Sequence, residues 1–338
     1  MKKLCKFLSY ALLTLVVLLV VGISLTIGWR PILGPKARPL TARQFEATPQ
    51  RLQRGHYIAT ALSGCTTGCH APRNLSAAGG FVAPGMEGAG QVMPIPTLPG
   101  RVVAPNLTPD PQTGAGNWTD DQLARAIREG IGHDGRTLFP FMPYPNFRSM
   151  SDEDLASVIV YLRSLPPVHH ELPATEIIFP VKYLMRSAPE PITEAVAAPD
   201  RSDPVKYGRY LVTLGSCREC HTPQEKGQAV PGMELAGGFT VAESGLSAAT
   251  ANLTSDASGI SYYDEALFIQ ALRTGYVKAR KLSPLMPIDV YKNLSDDDLK
   301  AMFAYLRTLT PVKHRVDNSL PPTYCKLCRM KHGGGDQN

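Results

Sequence analysis

Cys217, Cys220 and His221 form a Cys-x-x-Cys-His motif, and this spacing is typical of covalent attachment of a c-type haem. In such a site the two thiols bond to the vinyl groups of the haem, and the adjacent histidine ligates the iron. We expect a backbone carbonyl to hold the other ring nitrogen of His221. The alternative is a chance Cys-x-x-Cys beside an unrelated histidine. A second, weaker copy of the motif and methionines at matching positions downstream favour haem attachment.

The second copy comes earlier in the chain, and it is irregular. Three residues rather than two separate Cys65 from Cys69, and His70 follows. An extra residue has to bulge outward if both sulfurs are to reach their vinyl groups, and Gly68 would supply the freedom. We therefore predict a second covalently bound haem. A single thioether bond, or a disulfide in a domain that has lost its haem, stays open.

An internal repeat organises the chain and supports both sites. Five segments of the first half reappear in the same order in the second half, as 54–72 with 207–223, 84–90 with 231–237, 104–110 with 250–256, 124–131 with 269–276, and 141–168 with 285–312. The chain therefore contains a duplicated domain with one haem motif in each copy.

Methionines are the expected distal iron ligands, because His/Met ligation fills both axial positions. Met142 and Met286 occupy equivalent repeat positions, each before a proline and ahead of the last helix of its repeat. Met86 and Met233 are also repeat-equivalent, and Met93 also precedes a proline. These three precede the Asn-Leu-Thr loop, so repeat position favours Met142 and Met286.

The predicted elements are helices joined by long loops. The last helix of each repeat begins after an N-cap candidate, Ser151 or Ser295, with an acidic first turn. Apolar residues then recur at helical spacing, and Pro166 or Pro311 ends the helix. Strand-like alternation is scarce, so the expected fold is all-α.

Several polar residues near the predicted sites have two interpretations. They could bind haem propionates or simply build a turn: Asn106, Thr108, Trp118, Asn252 and Thr254. Four histidines, by our repeat comparison, have no partner in the other half and are expected to be incidental: His56, His169, His170 and His314.

The N-terminus contains a nearly unbroken apolar run of 23 residues from Phe7 to Trp29, long enough to cross a bilayer. No small-residue cleavage site follows it, so we expect an uncleaved anchor rather than a cleaved signal peptide. Lys2, Lys3 and Lys6 are expected to stay in the cytoplasm, which places the rest of the chain outside.

The cysteines and the charge limit the possible compartment and partners. Six of the seven cysteines form three close pairs, as expected outside the cytoplasm, and Cys5 is left over. Cys325 and Cys328 have no following histidine, so they are expected to form a disulfide; a zinc site with His332 and His314, or a free redox-active pair, stays open. The net charge of +6 is spread along 338 residues, which does not suggest nucleic-acid binding.

Together these motifs resemble a membrane-anchored di-haem cytochrome c built from two class I cytochrome c domains. Residues 104–136 are similar to the cytochrome c subunits of membrane-bound alcohol and sugar dehydrogenases. The resemblance covers about 45–168 and 203–312. The predicted organisation is a membrane anchor helix at 1–30, a first domain at 45–170, a linker at 171–202, a second domain at 203–315 and a C-terminal tail at 316–338. The glycine-rich end of the tail is expected to be flexible.

The resemblance implies an electron carrier, or an electron-transfer subunit, rather than an enzyme. It implies two covalent haems, attached through Cys65, Cys69, Cys217 and Cys220, with His70, Met142, His221 and Met286 as iron ligands. The chain would be anchored in a bacterial inner membrane by one span, with its haem domains in the periplasm. The expected donor is a dehydrogenase, and the expected acceptor is a terminal oxidase or a soluble cytochrome. The alternative is a haem enzyme such as a di-haem peroxidase or a thiosulfate dehydrogenase.

Overall fold

A long apolar helix, α1 (Lys2–Leu25), opens the chain and is followed by the short helix α2 (Arg30–Leu33). The computed structural model describes residues 2–72, 82–225 and 227–338, and no residue of α1 is buried in it. By length and composition α1 could cross a membrane, although a signal sequence passes the same test. The predicted apolar helix is therefore present, and its crossing of a membrane stays a prediction.

The two repeats fold into helical domains with the same order of main elements. The helices of the first domain are α3 (Pro49–Tyr57), α4 (Asp120–Glu129), α5 (Tyr144–Phe147) and α6 (Asp152–Ser164). A short helix, α7 (Val181–Leu184), lies between the domains. The helices of the second domain are α8 (Pro204–Leu214), α9 (Cys217–His221), α10 (Glu265–Thr274), α11 (Ile288–Tyr291) and α12 (Asp296–Leu306).

The last helix of each domain begins as predicted. The Ser151 side chain accepts a hydrogen bond from the amide of Asp154, and the Ser295 side chain accepts one from the amide of Asp298. Acidic residues fill the first turn of both helices, where the helix dipole favours negative charge. Both predicted N-caps are therefore confirmed.

Each domain is built on a close crossing of its first and last helices at a glycine. A Cβ atom added at Gly55 of α3 would lie 1.9 Å from the carbonyl oxygen of Ser157 in α6. A Cβ atom added at Gly208 of α8 would lie 1.8 Å from the carbonyl oxygen of Ala301 in α12. No side chain fits at either position, so the backbones themselves are in contact.

The fold is mainly helical but not purely so, which modifies the all-α prediction. Short antiparallel pairs of two to four residues stiffen the loops: β1 (Gln91–Val92) with β3 (Val103–Ala104), β2 (Gly100–Arg101) with β4 (Glu176–Ile177), β5 (Gln224–Glu225) with β6 (Gln228–Ala229), β7 (Thr240–Glu243) with β8 (Leu246–Ala249), β9 (Tyr276–Val277) with β10 (Arg280–Lys281), and β11 (Pro322–Tyr324) with β12 (Lys331–Gly333). Strands this short leave too little alternation for a sequence pattern to reveal.

The buried apolar side chains of the two domains form one continuous core. It includes Leu62 and Phe147 from the first domain and Leu214 and Leu294 from the second. The linker is also structured, because β4 within it pairs with β2 of the first domain. The domains are therefore packed together rather than joined by a free spacer.

The C-terminal tail is folded, contrary to the expectation that the chain ends in a flexible glycine-rich segment. Strands β11 and β12 pair, and a 3-10 turn, Gly335–Gln337, follows them. The Asn338 side chain accepts a hydrogen bond from the Arg315 amide at 2.7 Å and donates one to the Arg315 carbonyl at 3.0 Å. The last residues are thus tied to the end of the second domain.

Candidate haem sites

A cavity of about 570 Å³ in the first domain brings together the predicted residues of the first site. Cys65, Cys69, His70 and Met142 all line it. Its size lies within the range of roughly 300–1,000 Å³ that is typical of cofactor sites. The other walls are largely apolar, with Val102, Leu107, Trp118, Leu123, Ile127, Val158 and Leu162 among them. A large, flat and mostly apolar group such as haem fits this chemistry.

Backbone carbonyls orient the histidines of both motifs. His70 Nδ1 lies 2.7 Å from the Pro105 carbonyl oxygen, and His221 Nδ1 lies 2.8 Å from the Ala251 carbonyl oxygen. A carbonyl can only accept, so Nδ1 carries the proton in each ring and Nε2 keeps its lone pair for a metal. Burial lowers the pKa of His221 and lowers that of His70 to about 4, which keeps both rings neutral. The predicted carbonyl partner of His221 is confirmed.

The irregular motif of the first domain is accommodated by a wider helical turn. Residues Cys65–Cys69 form a π-helical turn in which the His70 amide donates to the Cys65 carbonyl at 2.8 Å. The regular motif forms the α-helical turn α9 instead. The left-handed residue before the first cysteine is Gly64 in one repeat and Ser216 in the other. The extra residue therefore widens the turn, and Gly68 within it does not adopt a positive φ.

The methionine candidates separate by location. Met142 lines the first cavity, and its repeat equivalent Met286 packs against the shared core. Met233 instead packs in a separate cluster with Cys325 and Cys328. Met93 and the linker residue Met185 also line the first cavity, so three thioethers of the described residues surround it. The part of the second repeat that corresponds to Met93 lies between Gly237 and Ala251 and contains no methionine. Of Met93 and Met142, only Met142 therefore has an equivalent methionine in the second repeat.

The Asn-Leu-Thr loops build turns. The Asn106 side chain donates to the Val168 carbonyl at 2.8 Å and accepts from the amide and hydroxyl of Thr108 at 3.0 and 2.7 Å. Asn252 makes the same bonds to Thr254 and to the Val312 carbonyl. These hydrogen bonds hold each loop against the segment that follows the last helix. In the structure the polar side chains therefore build turns. Trp118 lines the first cavity and stacks on His133.

Segments outside the repeat cover the first cavity, and sequence reasoning did not foresee them. Gly34 and Pro35 approach from the N-terminal side, and residues 175–177 approach from the linker. Among the residues that the structure describes, three cationic side chains also line the cavity: Arg136, Lys182 and Arg186. No motif signals Lys182 or Arg186, because tertiary packing alone brings the linker to the site.

One histidine comparison made from the sequence was wrong, because His170 and His314 are in fact repeat equivalents. His170 Nδ1 lies 2.8 Å from the Ala89 carbonyl, and His314 Nδ1 lies 2.7 Å from the Ala236 carbonyl. Ala89 and Ala236 are themselves equivalent. Both histidines follow the last helix and lock the same loop, so neither is incidental.

Each haem motif packs against the opposite domain. A Cβ atom added at Gly64, just before Cys65, would lie 3.2 Å from a methyl carbon of Val290 in α11. In the reciprocal contact, the Asn146 side chain in α5 donates to Ser216 at 3.3 Å and to Glu219 at 3.1 Å. Both attachment motifs therefore lie at the interface between the domains.

Comparison with known proteins agrees with this architecture. A sequence model of the cytochrome c family matches residues 54–166 and 205–310, one stretch in each repeat. The chain is 31% identical over 304 residues to a nicotinate dehydrogenase subunit of Pseudomonas putida, covering 85% of this chain and 23% of that protein. It is 33% identical to the gluconate 2-dehydrogenase cytochrome c subunit of Pantoea cypripedii, covering 78% of this chain and 60% of the relative.

A third relative is similar in length. The chain is 29% identical to a di-haem c-type cytochrome of Cereibacter sphaeroides, and the match covers 80% of this chain and 89% of the relative. By contrast, the chain spans less than two-thirds of the length of the two dehydrogenase subunits.

Proposed function

The chain belongs to the cytochrome c family, and from that membership we propose that it is a membrane-anchored di-haem cytochrome that transfers electrons from a dehydrogenase to a further acceptor. The observation that carries this proposal is the pair of equivalent haem motifs packed at one domain interface. Cofactors attached on both sides of one interface would be neighbours, as direct electron exchange between them requires. The proposed haem domains span 45–170 and 203–315.

The four cysteines and two histidines of the motifs have distinct proposed roles. Cys65 and Cys69 bond covalently to the first haem, as Cys217 and Cys220 bond to the second. His70 and His221 supply the proximal nitrogen. The carbonyls of Pro105 and Ala251 hold each ring so that its Nε2 points away from the backbone. When bound, each haem supplies an iron that cycles between the ferrous and ferric states.

Met142 and Met286 are the proposed distal ligands. Repeat equivalence supports both, and the cavity supports Met142. Met233 lies in another cluster, which supports Met286 over its competitor. With a thioether on each iron, neither site keeps an open position for a substrate. That argues against the alternative of a di-haem peroxidase or thiosulfate dehydrogenase, and the relatives described above do not favour it either.

Charged side chains at the first cavity suit the acidic edge of a haem. Arg136, Lys182 and Arg186 line the cavity, and their cations would pair with propionates. Two of the three come from the linker, so we propose that the linker closes the first site when the haem is bound. It would exclude water from the cavity and hold the haem edge in place.

The names of the relatives suggest the electron donor. Two are described as subunits of dehydrogenases, for nicotinate and for gluconate. We propose that the donor of this chain is also a dehydrogenase at the membrane, and that the acceptor is a terminal oxidase or a soluble cytochrome. Helix α1 would anchor the chain in the bacterial inner membrane by a single span, with the haem domains in the periplasm.

Carbon monoxide binding to the reduced full-length protein in detergent separates the two functional classes. A carrier with both irons in six-coordinate His/Met ligation binds carbon monoxide slowly or not at all. Rapid binding at one haem of the wild-type protein would reveal an open iron and favour the enzyme alternative. In membranes, reduction of the haems on addition of a dehydrogenase substrate, lost when that dehydrogenase gene is deleted, would identify the donor.

A further inference from the structure

Four metal-binding side chains converge outside both candidate haem sites, where the C-terminal tail meets the second domain. They are His314, Cys325, Cys328 and His332; all four are buried, and one ligand atom of each lies within 4.8 Å of those of the others. We propose that these residues bind one zinc ion, which fastens the tail to the second domain. None of these four residues is a ligand in the haem sites proposed above.

The histidine tautomers call for a cation between the rings. His314 Nδ1 lies 2.7 Å from the Ala236 carbonyl, and His332 Nδ1 lies 3.0 Å from the Gly333 carbonyl. Because carbonyls only accept, both Nδ1 atoms are protonated and both Nε2 atoms present lone pairs. These two Nε2 atoms face each other at 3.0 Å. Lone pairs at that distance repel unless a proton or a metal ion lies between them, and the two cysteines beside the rings favour a metal ion.

The spacing also suits a tetrahedral metal. With the bond lengths usual for zinc, a tetrahedral centre separates two nitrogens by about 3.3 Å and a nitrogen from a sulfur by about 3.6 Å. The His314 and His332 nitrogens are 3.0 Å apart, and His314 Nε2 is 3.5 Å from Cys325 Sγ. A small shift of the rings on binding therefore completes the site.

The sulfurs are arranged as ligands. Both thiols are free and fully buried in the structure, so the disulfide expected from the sequence is not formed there. The Cys328 amide donates to Cys325 Sγ at 3.5 Å, which holds that sulfur in place. Two thiolates neutralise a divalent ion, so the filled site adds no net charge to a buried region. Two thiolates with two imidazoles in a tetrahedron favour zinc among common metals.

The surroundings exclude water and hold the ligands in place. Val230, Met233 and Ala236 pack against the two cysteines. Gly238 leaves room for the histidine rings, because a Cβ atom there would lie 2.5 Å from Cε1 of His314 and 3.3 Å from Cδ2 of His332.

The first domain provides an internal comparison. His170 makes the same carbonyl contact as His314, but the chain that follows it continues into the linker rather than into a cysteine-bearing tail. The second domain thus combines a histidine that both repeats contain with three ligands supplied by the tail. This makes His170 a matched control residue.

The site is also connected to the second haem motif. The Ala236 carbonyl accepts from His314, and the next amide, that of Gly237, donates to the His221 carbonyl at 2.8 Å. Zinc would therefore brace the loop that supports the iron-binding histidine. Loss of zinc is expected to loosen the tail first, and then this loop.

Elemental analysis of the full-length haem protein, purified in detergent from zinc-supplemented cells, tests the proposal. We expect one zinc per chain. His332→Gln should retain at most about one-tenth of the wild-type zinc, and so should the double variant Cys325→Ser, Cys328→Ser. His170→Gln should retain all of it. Chelator treatment should speed proteolysis within 316–338 in the wild type, and added zinc should reverse the effect.

Zinc-edge X-ray absorption is measured on the wild-type protein, so the result does not depend on whether a variant folds. Two sulfur and two nitrogen neighbours are the expected shell. Wild-type protein without zinc and with a Cys325–Cys328 disulfide in its mass spectrum would overturn the proposal. So would zinc retained by the double cysteine variant, or a zinc shell without sulfur.

Discussion

The Tyr57 hydroxyl of the first domain donates a hydrogen bond of 2.7 Å to Asp298 of the second domain and accepts one from the Ser295 amide. The equivalent residues of the two repeats make the reciprocal contact. Tyr210 of the second domain donates at 2.6 Å to Asp154 of the first and accepts from the Ser151 amide. The first helix of each domain thus caps the last helix of the other, which fixes how the two haem motifs face each other.

Replacing Tyr57 by Phe should weaken the contact between the domains. The variant leaves the Asp298 carboxylate and the Ser295 amide without this partner, so the free energy of unfolding should fall by about 1–3 kcal/mol. Chemical denaturation followed by haem absorption measures it. Tyr210→Phe should have a similar effect, and Tyr324→Phe, at an exposed site, should have little. Equal stability of all three variants would mean that the reciprocal bonds contribute nothing.

Gly208→Ala should be among the most damaging substitutions in the second domain. Its new methyl group would meet the Ala301 carbonyl oxygen, forcing α8 and α12 apart at a cost of about 3 kcal/mol or more. The yield of folded haem protein and its melting temperature report the loss. Gly55→Ala should act in the same way in the first domain. Gly22→Ala is the matched control, since no atom in the described part of the chain lies within 4 Å of an added Cβ there. A loss as large in that variant would refute the packing argument.

Met286→Ala should lower the reduction potential of one haem by on the order of 100 mV, because the thioether ligand raises the potential. It should also open that iron to carbon monoxide. Met142→Ala should do the same at the other haem. Met233→Ala and Met93→Ala, measured by the same redox titration, should leave both potentials close to wild type. A large shift in Met93→Ala with none in Met142→Ala would reassign the first distal ligand.

Asp121→Asn should reduce stability at neutral pH and flatten the acid limb of the stability curve. Burial raises the pKa of Asp121, but hydrogen bonds from Arg38 and from Thr41 outweigh it and lower the pKa from 3.8 to about 2. Because the folded pKa is depressed, the stabilisation is present above pH 4 and is lost as pH falls from 4 to 2.

The expected cost of Asp121→Asn at pH 7 is about 2 kcal/mol, because a pKa lowered from 3.8 to about 2 corresponds to roughly that preference for the charged form. The lost contacts also hold the segment that continues from Gly34 and Pro35 at the first cavity. Melting temperatures between pH 2 and pH 7 provide the test. Glu171→Gln, whose side chain is 86% exposed, serves as the control. An unchanged pH profile in Asp121→Asn would contradict the assignment.

The local features were predictable from the sequence because they depend on short spacings. The haem motifs and the N-caps at Ser151 and Ser295 each involve only a few neighbouring residues. The repeat makes each of these signals appear twice. The carbonyl partner of His221 followed from the chemistry of metal-bound imidazole. These signals needed no knowledge of how the chain folds back on itself.

The remaining features depend on contacts between distant segments. Nothing in the periodicity indicates that the linker pairs with residues 100–101 and covers the first cavity. The equivalence of His170 and His314 was missed because the residues around them differ between the repeats. The tail looked flexible because it is rich in glycine, whereas contacts with Arg315 and the cysteine cluster order it.

Intact mass spectrometry of the full-length protein tests the central claim most directly, since two covalently attached haems distinguish a two-site carrier from a single-site protein. We predict the mass of the polypeptide plus two haem increments. Removal of Cys65 and Cys69 together should eliminate one increment, and removal of Cys217 and Cys220 should eliminate the other. Wild-type protein with a single increment, or with a Cys65–Cys69 disulfide in place of the first haem, would contradict the account.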